Sequence, residues 1–74
     1  MGALPSIRAK PLLALLLKCG FEVIRTRGSH RFLRHPDGRT LLFAFHDRET
    51  IGPRMLARVL RDAGLKYEDV KRLL

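Results

Sequence analysis

Glycine and proline cut this chain into short segments, and the cuts decide what it can fold into. Gly20 follows an apolar run, Gly28 separates two β-rich stretches, and Pro36-Asp37-Gly38 marks a tight turn. Gly52-Pro53 opens a helical pattern and Gly64 closes it. Glycine supplies left-handed backbone conformations, and proline belongs at helix starts and turns rather than inside elements. A chain of 74 residues buries only roughly 60% of its unfolded surface, so one simple core must hold everything. Residues 1–74 are therefore read as a single domain, with 1–7 a flexible tail.

The segments have distinct characters. Ala9 to Cys19 reads as a helix starting near Arg8 or Ala9, because Pro11 is tolerated only in a first turn. Leu12, Leu13, Leu16 and Leu17 share one broad apolar face, which Leu15 and Leu17 widen beyond what a small core needs. Such a helix is either deeply buried or exposes a face for self-association or a partner. Phe21 to Thr26 has strand composition, and Arg27-Gly28-Ser29 breaks it. Arg31 to His35 and Thr40 to Phe45 read as two further strands joined by the Pro36-Asp37-Gly38 hairpin. A second helix runs from Gly52-Pro53 to Ala63, with Leu56, Val59, Leu60 and Ala63 as its core stripe and Arg54, Arg58 and Arg61 on another face. Tyr67 to Leu74 forms a short helix whose early acids and late bases suit the helix dipole. The expected fold is α+β: α-β-β-β-α with a short C-terminal helix, and a three-stranded antiparallel sheet with helices on one face. Double-stranded RNA-binding domains use this order, though order alone assigns no function.

Charge narrows the partners. Fifteen Lys and Arg stand against seven Asp and Glu, a formal +8, and arginine clearly outnumbers lysine. Arginine grips phosphate bidentately, so the natural complement is a nucleic acid or an acidic protein. Cys19 is alone, which excludes an internal disulfide and fits a reducing cytoplasm; its expected role is a small buried residue at a helix end. The start Met1-Gly2-Ala3-Leu4-Pro5-Ser6 matches only a permissive acylation pattern. The apolar run Leu12–Leu17 is too short for a membrane span or a secretory signal. The expectation is a cytoplasmic protein with no membrane partner. Metal-binding pairs, phosphate loops and dinucleotide fingerprints are missing from the sequence, so neither a metal nor a cofactor is expected.

The segment Arg27-Gly28-Ser29-His30-Arg31 carries the chemistry. Gly28 lets backbone approach a ligand, Ser29 and nearby N–H groups can hold a phosphate oxygen, and His30 can exchange a proton near neutral pH. Arg25, Arg27, Arg31 and Arg34 surround it with positive charge. Those parts suit metal-free RNA cleavage, in which a base deprotonates a ribose 2′-OH that attacks the adjacent phosphorus. The products would be a 2′,3′-cyclic phosphate and a 5′-hydroxyl. A strand histidine on a basic surface explains the same residues without catalysis. His46 is either a second proton-transfer group or a cap on the third strand, and His35 is structural or solvent-facing beside its turn. Phe32, Phe43 and Phe45 could stack on bases, but strand aromatics of this kind more often fill a core.

A family resemblance bears on the choice. Leu16-Leu17-Lys18-Cys19-Gly20-Phe21, Gly28-Ser29-His30, Arg34-His35-Pro36-Asp37-Gly38-Arg39, His46 and Leu60-Arg61-Asp62-Ala63-Gly64-Leu65, in this order, strongly resemble the HicA toxin family over roughly Arg8 to Leu74. The resemblance implies a fold like a double-stranded RNA-binding domain and an mRNA-cleaving ribonuclease. It gives the catalytic role to His30 and implies a HicB-like antitoxin as partner. Arg27, Gly28, Ser29 and Arg31 are then the RNA-binding residues. Assembly would be a homo-oligomer or a toxin–antitoxin hetero-oligomer. Two features depart from the family pattern: Pro11, Ala14 and Leu17 stand where the first helix usually carries charge, and no proline precedes His46. Two rival readings stay open from the residues themselves, a non-catalytic double-stranded RNA-binding module and a small protein whose basic face serves an acidic partner.

Overall fold

The turn and cap residues place the elements in the expected order, and two short strands join them. A computed structural model describes residues 4–73. Its elements are β1 (Ile7–Arg8), α1 (Ala9–Lys18), β2 (Glu22–Arg27), β3 (His30–Arg34), β4 (Thr40–Ala44), β5 (Thr50–Ile51), α2 (Pro53–Ala63) and α3 (Tyr67–Leu73). Strands β2, β3 and β4 form an antiparallel sheet with β3 in the centre. The α+β architecture with its α-β-β-β-α order is as the sequence implied. Leu33, Leu41 and Phe43 point from the sheet into the core, where they join Leu12, Leu15 and Leu16 of α1, Leu56, Val59 and Leu60 of α2, and Val70 of α3.

Three expectations need correction. Ile7, assigned to the 1–7 tail, is instead buried and pairs with Ile51 in a two-stranded ribbon; Met1–Ala3 lie outside the described residues. The apolar face of α1 is rotated from its expected position: Leu15 is buried, while Leu17 is 43% exposed. Ala9, Leu12 and Leu16 mark the centre of the buried stripe. At 3.6 residues per turn Leu13 and Leu15 flank that centre, and Leu17 falls outside it. The second strand begins at His30 and ends at Arg34, and the third ends at Ala44. His30 therefore sits inside the ladder, paired with Arg27 on one side and Ala44 on the other.

The first helix is fixed at both ends, and the second at its C-terminus. The first helix has no side-chain cap. Instead the N–H of Ala9 donates to the Glu49 carbonyl at 2.9 Å and that of Lys10 to the Asp47 carbonyl at 3.2 Å. Pro11 follows, with no N–H to satisfy, which accounts for a proline in the first turn. At the other end Gly20 adopts φ 103°, while Phe21 N–H reaches back to Leu16 O and Gly20 N–H to Leu17 O. This is the paired hydrogen-bond pattern of a glycine-closed helix. The second helix closes the same way, with Gly64 at φ 70°, Leu65 N–H on Leu60 O and Gly64 N–H on Arg61 O.

The β3–β4 turn reaches both of these glycine caps. His35 Nε2 donates to the Cys19 carbonyl at 3.0 Å, and its ring packs so tightly on Gly20 that a Cβ there would lie 2.7 Å from Nε2. Arg39 donates to the Ala63 carbonyl and lies against Gly64. Asp37 joins the two: its carboxylate takes Arg39 Nε at 2.8 Å and 3.0 Å, and its N–H donates to His35 Nδ1 at 3.1 Å. Arg39 also stands 5.3 Å from the Phe21 ring centroid.

These hydrogen bonds from Arg39 hold the Asp37 carboxyl down to about 2, from an ordinary 3.8. A depressed carboxyl pKa stabilises the fold above the unfolded value and loses that contribution as pH falls through the folded one. Wild type should therefore exceed Asp37→Asn in denaturant midpoint near neutral pH. The two should converge between about pH 4 and about pH 2. A gap that persists unchanged at the acid end would contradict this role for the carboxylate.

Candidate active site

The Gly-Ser-His element is the tight turn of the β2–β3 hairpin. Gly28 takes φ 61° and no other residue in the turn has positive φ, as a two-residue loop with glycine first requires. A Cβ at Gly28 would meet nothing within 4 Å. Glycine is needed there for its backbone conformation, not for space. The turn projects into solvent, with Gly28 and His30 exposed and Ser29 half-buried.

Alternation along β3 then separates the candidate residues onto two faces. Successive side chains on a strand point to opposite sides. Leu33 points into the core, so His30, Phe32 and Arg34 face outward while Arg31 faces the helix side. Arg27 and His30 are a paired row on the outer face, continued by Ala44, whose small side chain leaves the imidazole uncovered. The next row is Arg25, Phe32 and Leu42, with the Arg25 guanidinium 4.8 Å from the Phe32 ring centroid.

On the other side of the turn an open groove is lined by Gly28, Ser29, Arg31, Phe45, His46 and Asp47. Arg31 is half-buried there, donating to Asp47 Oδ1 at 3.2 Å and to the Phe45 carbonyl at 3.5 Å. The loop carrying His46 is fastened from several directions. His46 N–H donates to Glu49 Oε1, Glu49 N–H returns to the His46 carbonyl, and the start of α1 holds Asp47 and Glu49. The structure thus gathers Gly28, Ser29, Arg31 and His46 around one groove, and sets Arg27 and His30 together on the outer face. The Gly28–Ser29 turn borders both. Asp47 was not singled out from the sequence, and its signal is weak: an acid in a loop far from Arg31 in the chain. His35, by contrast, belongs to the helix-capping turn at the opposite end of β3. Among the described residues no three side chains of metal-ligating type come together, and no helix is long and apolar enough to cross a membrane.

The exposed and the bonded residues should respond differently to truncation. His30→Ala and His46→Ala should each shift stability by no more than about 0.5 kcal/mol. Arg31→Ala should cost about 1 kcal/mol, because the Phe45 carbonyl and Asp47 lose a charged donor. Urea denaturation followed by circular dichroism measures all three. A His30→Ala protein that unfolds would show that the imidazole has a structural role instead.

Comparison with known families gives one match. The model of a family described as "HicA toxin of bacterial toxin-antitoxin" matches residues 9–65. No curated protein matches the sequence.

Proposed function

As this chain belongs to the HicA toxin family, and so is the toxin of a toxin–antitoxin system with an antitoxin partner, we propose that it is a metal-independent endoribonuclease that cleaves messenger RNA in the cytoplasm through His30. The observation that carries this reading is the setting of His30. It is an exposed imidazole beside a projecting glycine turn, with Arg27 in the neighbouring row position and Arg25 and Arg34 on the same face. A substrate phosphate can reach it from solvent without any rearrangement of the sheet.

The reaction follows from those groups. Neutral His30 accepts the proton of a ribose 2′-OH, and the oxygen forms a bond to the adjacent phosphorus as the P–O5′ bond breaks. Arg27 neutralises charge on the non-bridging phosphate oxygens as it develops, with the Gly28–Ser29 backbone and hydroxyl as further donors. The departing O5′ takes a proton from His46 across the turn or from water. A 2′,3′-cyclic phosphate and a 5′-hydroxyl remain. Arg31 keeps part of its guanidinium on Asp47 and Phe45 and offers its remaining N–H donors to RNA. A HicB-like antitoxin, in a toxin–antitoxin hetero-oligomer, would silence the enzyme by covering this surface.

The test is cleavage of single-stranded RNA in EDTA by wild type and a folded His30→Ala protein, with product ends identified. Wild type should cut, and His30→Ala should be slower by about 10²-fold or more, the usual scale of general-base catalysis. If neither cuts while both bind duplex RNA equally, the non-catalytic binding module replaces this reading.

A further inference from the structure

Four phenylalanines occur in the chain, and three of them have an ordinary explanation. Phe21, Phe43 and Phe45 are buried in the core, the last two in edge-to-face contact at 5.1 Å. Phe32 differs. It lies on the outer face of the central strand, half-exposed, with Arg25 over its ring. Beside it Leu42 is 46% and Ile24 52% exposed. An apolar, aromatic strip thus runs over a surface that a charged protein has reason to keep polar.

The surroundings identify what fits. Arg25, Arg27 and Arg34 share this face, and Arg58 borders the depression that continues from Leu42 and Ala44 toward α2. Glu22 is the acid in the β2 row beside Arg34. Asp62 lines the depressions beside Leu42 as a second acid, so four arginines stand against two carboxylates here. A predominantly cationic rim around an exposed ring is complementary to a polyanion that also presents flat aromatic faces, which is a nucleic acid with unpaired bases. Duplex RNA does not meet the second condition, because its base faces are stacked inside the helix. Arg25 strengthens the argument, since a guanidinium plane stacks on bases as an aromatic ring does.

Position along the strand completes it. His30 and Phe32 are two residues apart on one face of β3, hence about 6.8 Å apart along the strand. One nucleotide step of an extended RNA strand covers such a span. We infer that Phe32, with Arg25, is a base-stacking platform for the nucleotide next to the one at His30, so that this face takes single-stranded rather than duplex RNA. The inference rests on the ribonuclease reading for the role of His30, but the stacking itself does not require cleavage.

A binding assay keeps the two apart. A short fluorescent oligonucleotide with 2′-deoxyribose throughout cannot be cut by 2′-OH attack, and its affinity is read by anisotropy. Wild type and Phe32→Tyr should bind the single strand about 5- to 150-fold more tightly than Phe32→Leu, the range for one stacked base. The difference should vanish with an abasic strand of equal length and charge, and with the duplex. Equal binding by a folded Phe32→Leu protein overturns the inference, as does a loss of the same size on the abasic strand. A Phe32→Leu protein that keeps its oligonucleotide affinity but loses its antitoxin also overturns it, since the strip would then be a protein interface. Failure of RNA cleavage, measured separately, would remove the ribonuclease reading and leave this result standing.

Discussion

Both long helices end on the same turn, and much of the structure depends on that meeting. His35 seals the C-terminus of α1, Arg39 seals that of α2, and Asp37 bonds to both side chains. Each helix end is closed by a glycine whose missing side chain makes room for its partner from the turn. Helix carbonyls at a C-terminus are unsatisfied within the helix and carry partial negative charge, so a guanidinium and an imidazole N–H are fitting donors. At the far end the carbonyls of Asp47 and Glu49 hold the start of α1, and the β1–β5 ribbon ties the segments that lead into the two helices. The two helices are thereby set side by side in the same sense, and the sheet is registered against them.

The candidate site is a consequence of this frame. The β2–β3 turn and the 46–49 loop lie at the end of the sheet opposite the capping turn. The loop is rigid because α1 uses its backbone as a cap, and Arg31 fastens it to the central strand. The β2–β3 turn stays open. A groove with His46 therefore borders an exposed face with His30, and the Gly28–Ser29 turn lies at the edge of both. Placing proton-transfer groups on rigid elements with an open approach is what in-line attack at a phosphate needs.

Much of this was legible in the sequence, for identifiable reasons. Gly20, Gly64 and Pro36-Asp37-Gly38 announce their conformations locally, so helix ends and the hairpin could be placed within a residue or so. The resemblance carried by Gly28-Ser29-His30 and the flanking blocks pointed to the family that matches residues 9–65. The β1–β5 ribbon was hidden because two-residue strands have no periodicity to read. Leu15 and Leu17 could not be ranked within a run of leucines, because each lies at one margin of the buried stripe and the two look alike in the sequence. Phe32 and Leu33 are adjacent apolar residues on a strand, and nothing local says which of them faces the core. The helix-capping role of His35 and Arg39 also escaped, since it joins residues far apart in the chain.

The central claim is that a ribose 2′-oxygen, activated by His30, attacks the adjacent phosphorus. Its most direct test is an RNA carrying one 2′-deoxynucleotide immediately 5′ of the principal cleavage site, compared with the all-ribose strand. Cleavage at that bond should disappear while cutting at other sites and affinity for the strand persist. Continued cleavage at the substituted bond, leaving no cyclic phosphate, would contradict it and assign the attacking oxygen to water.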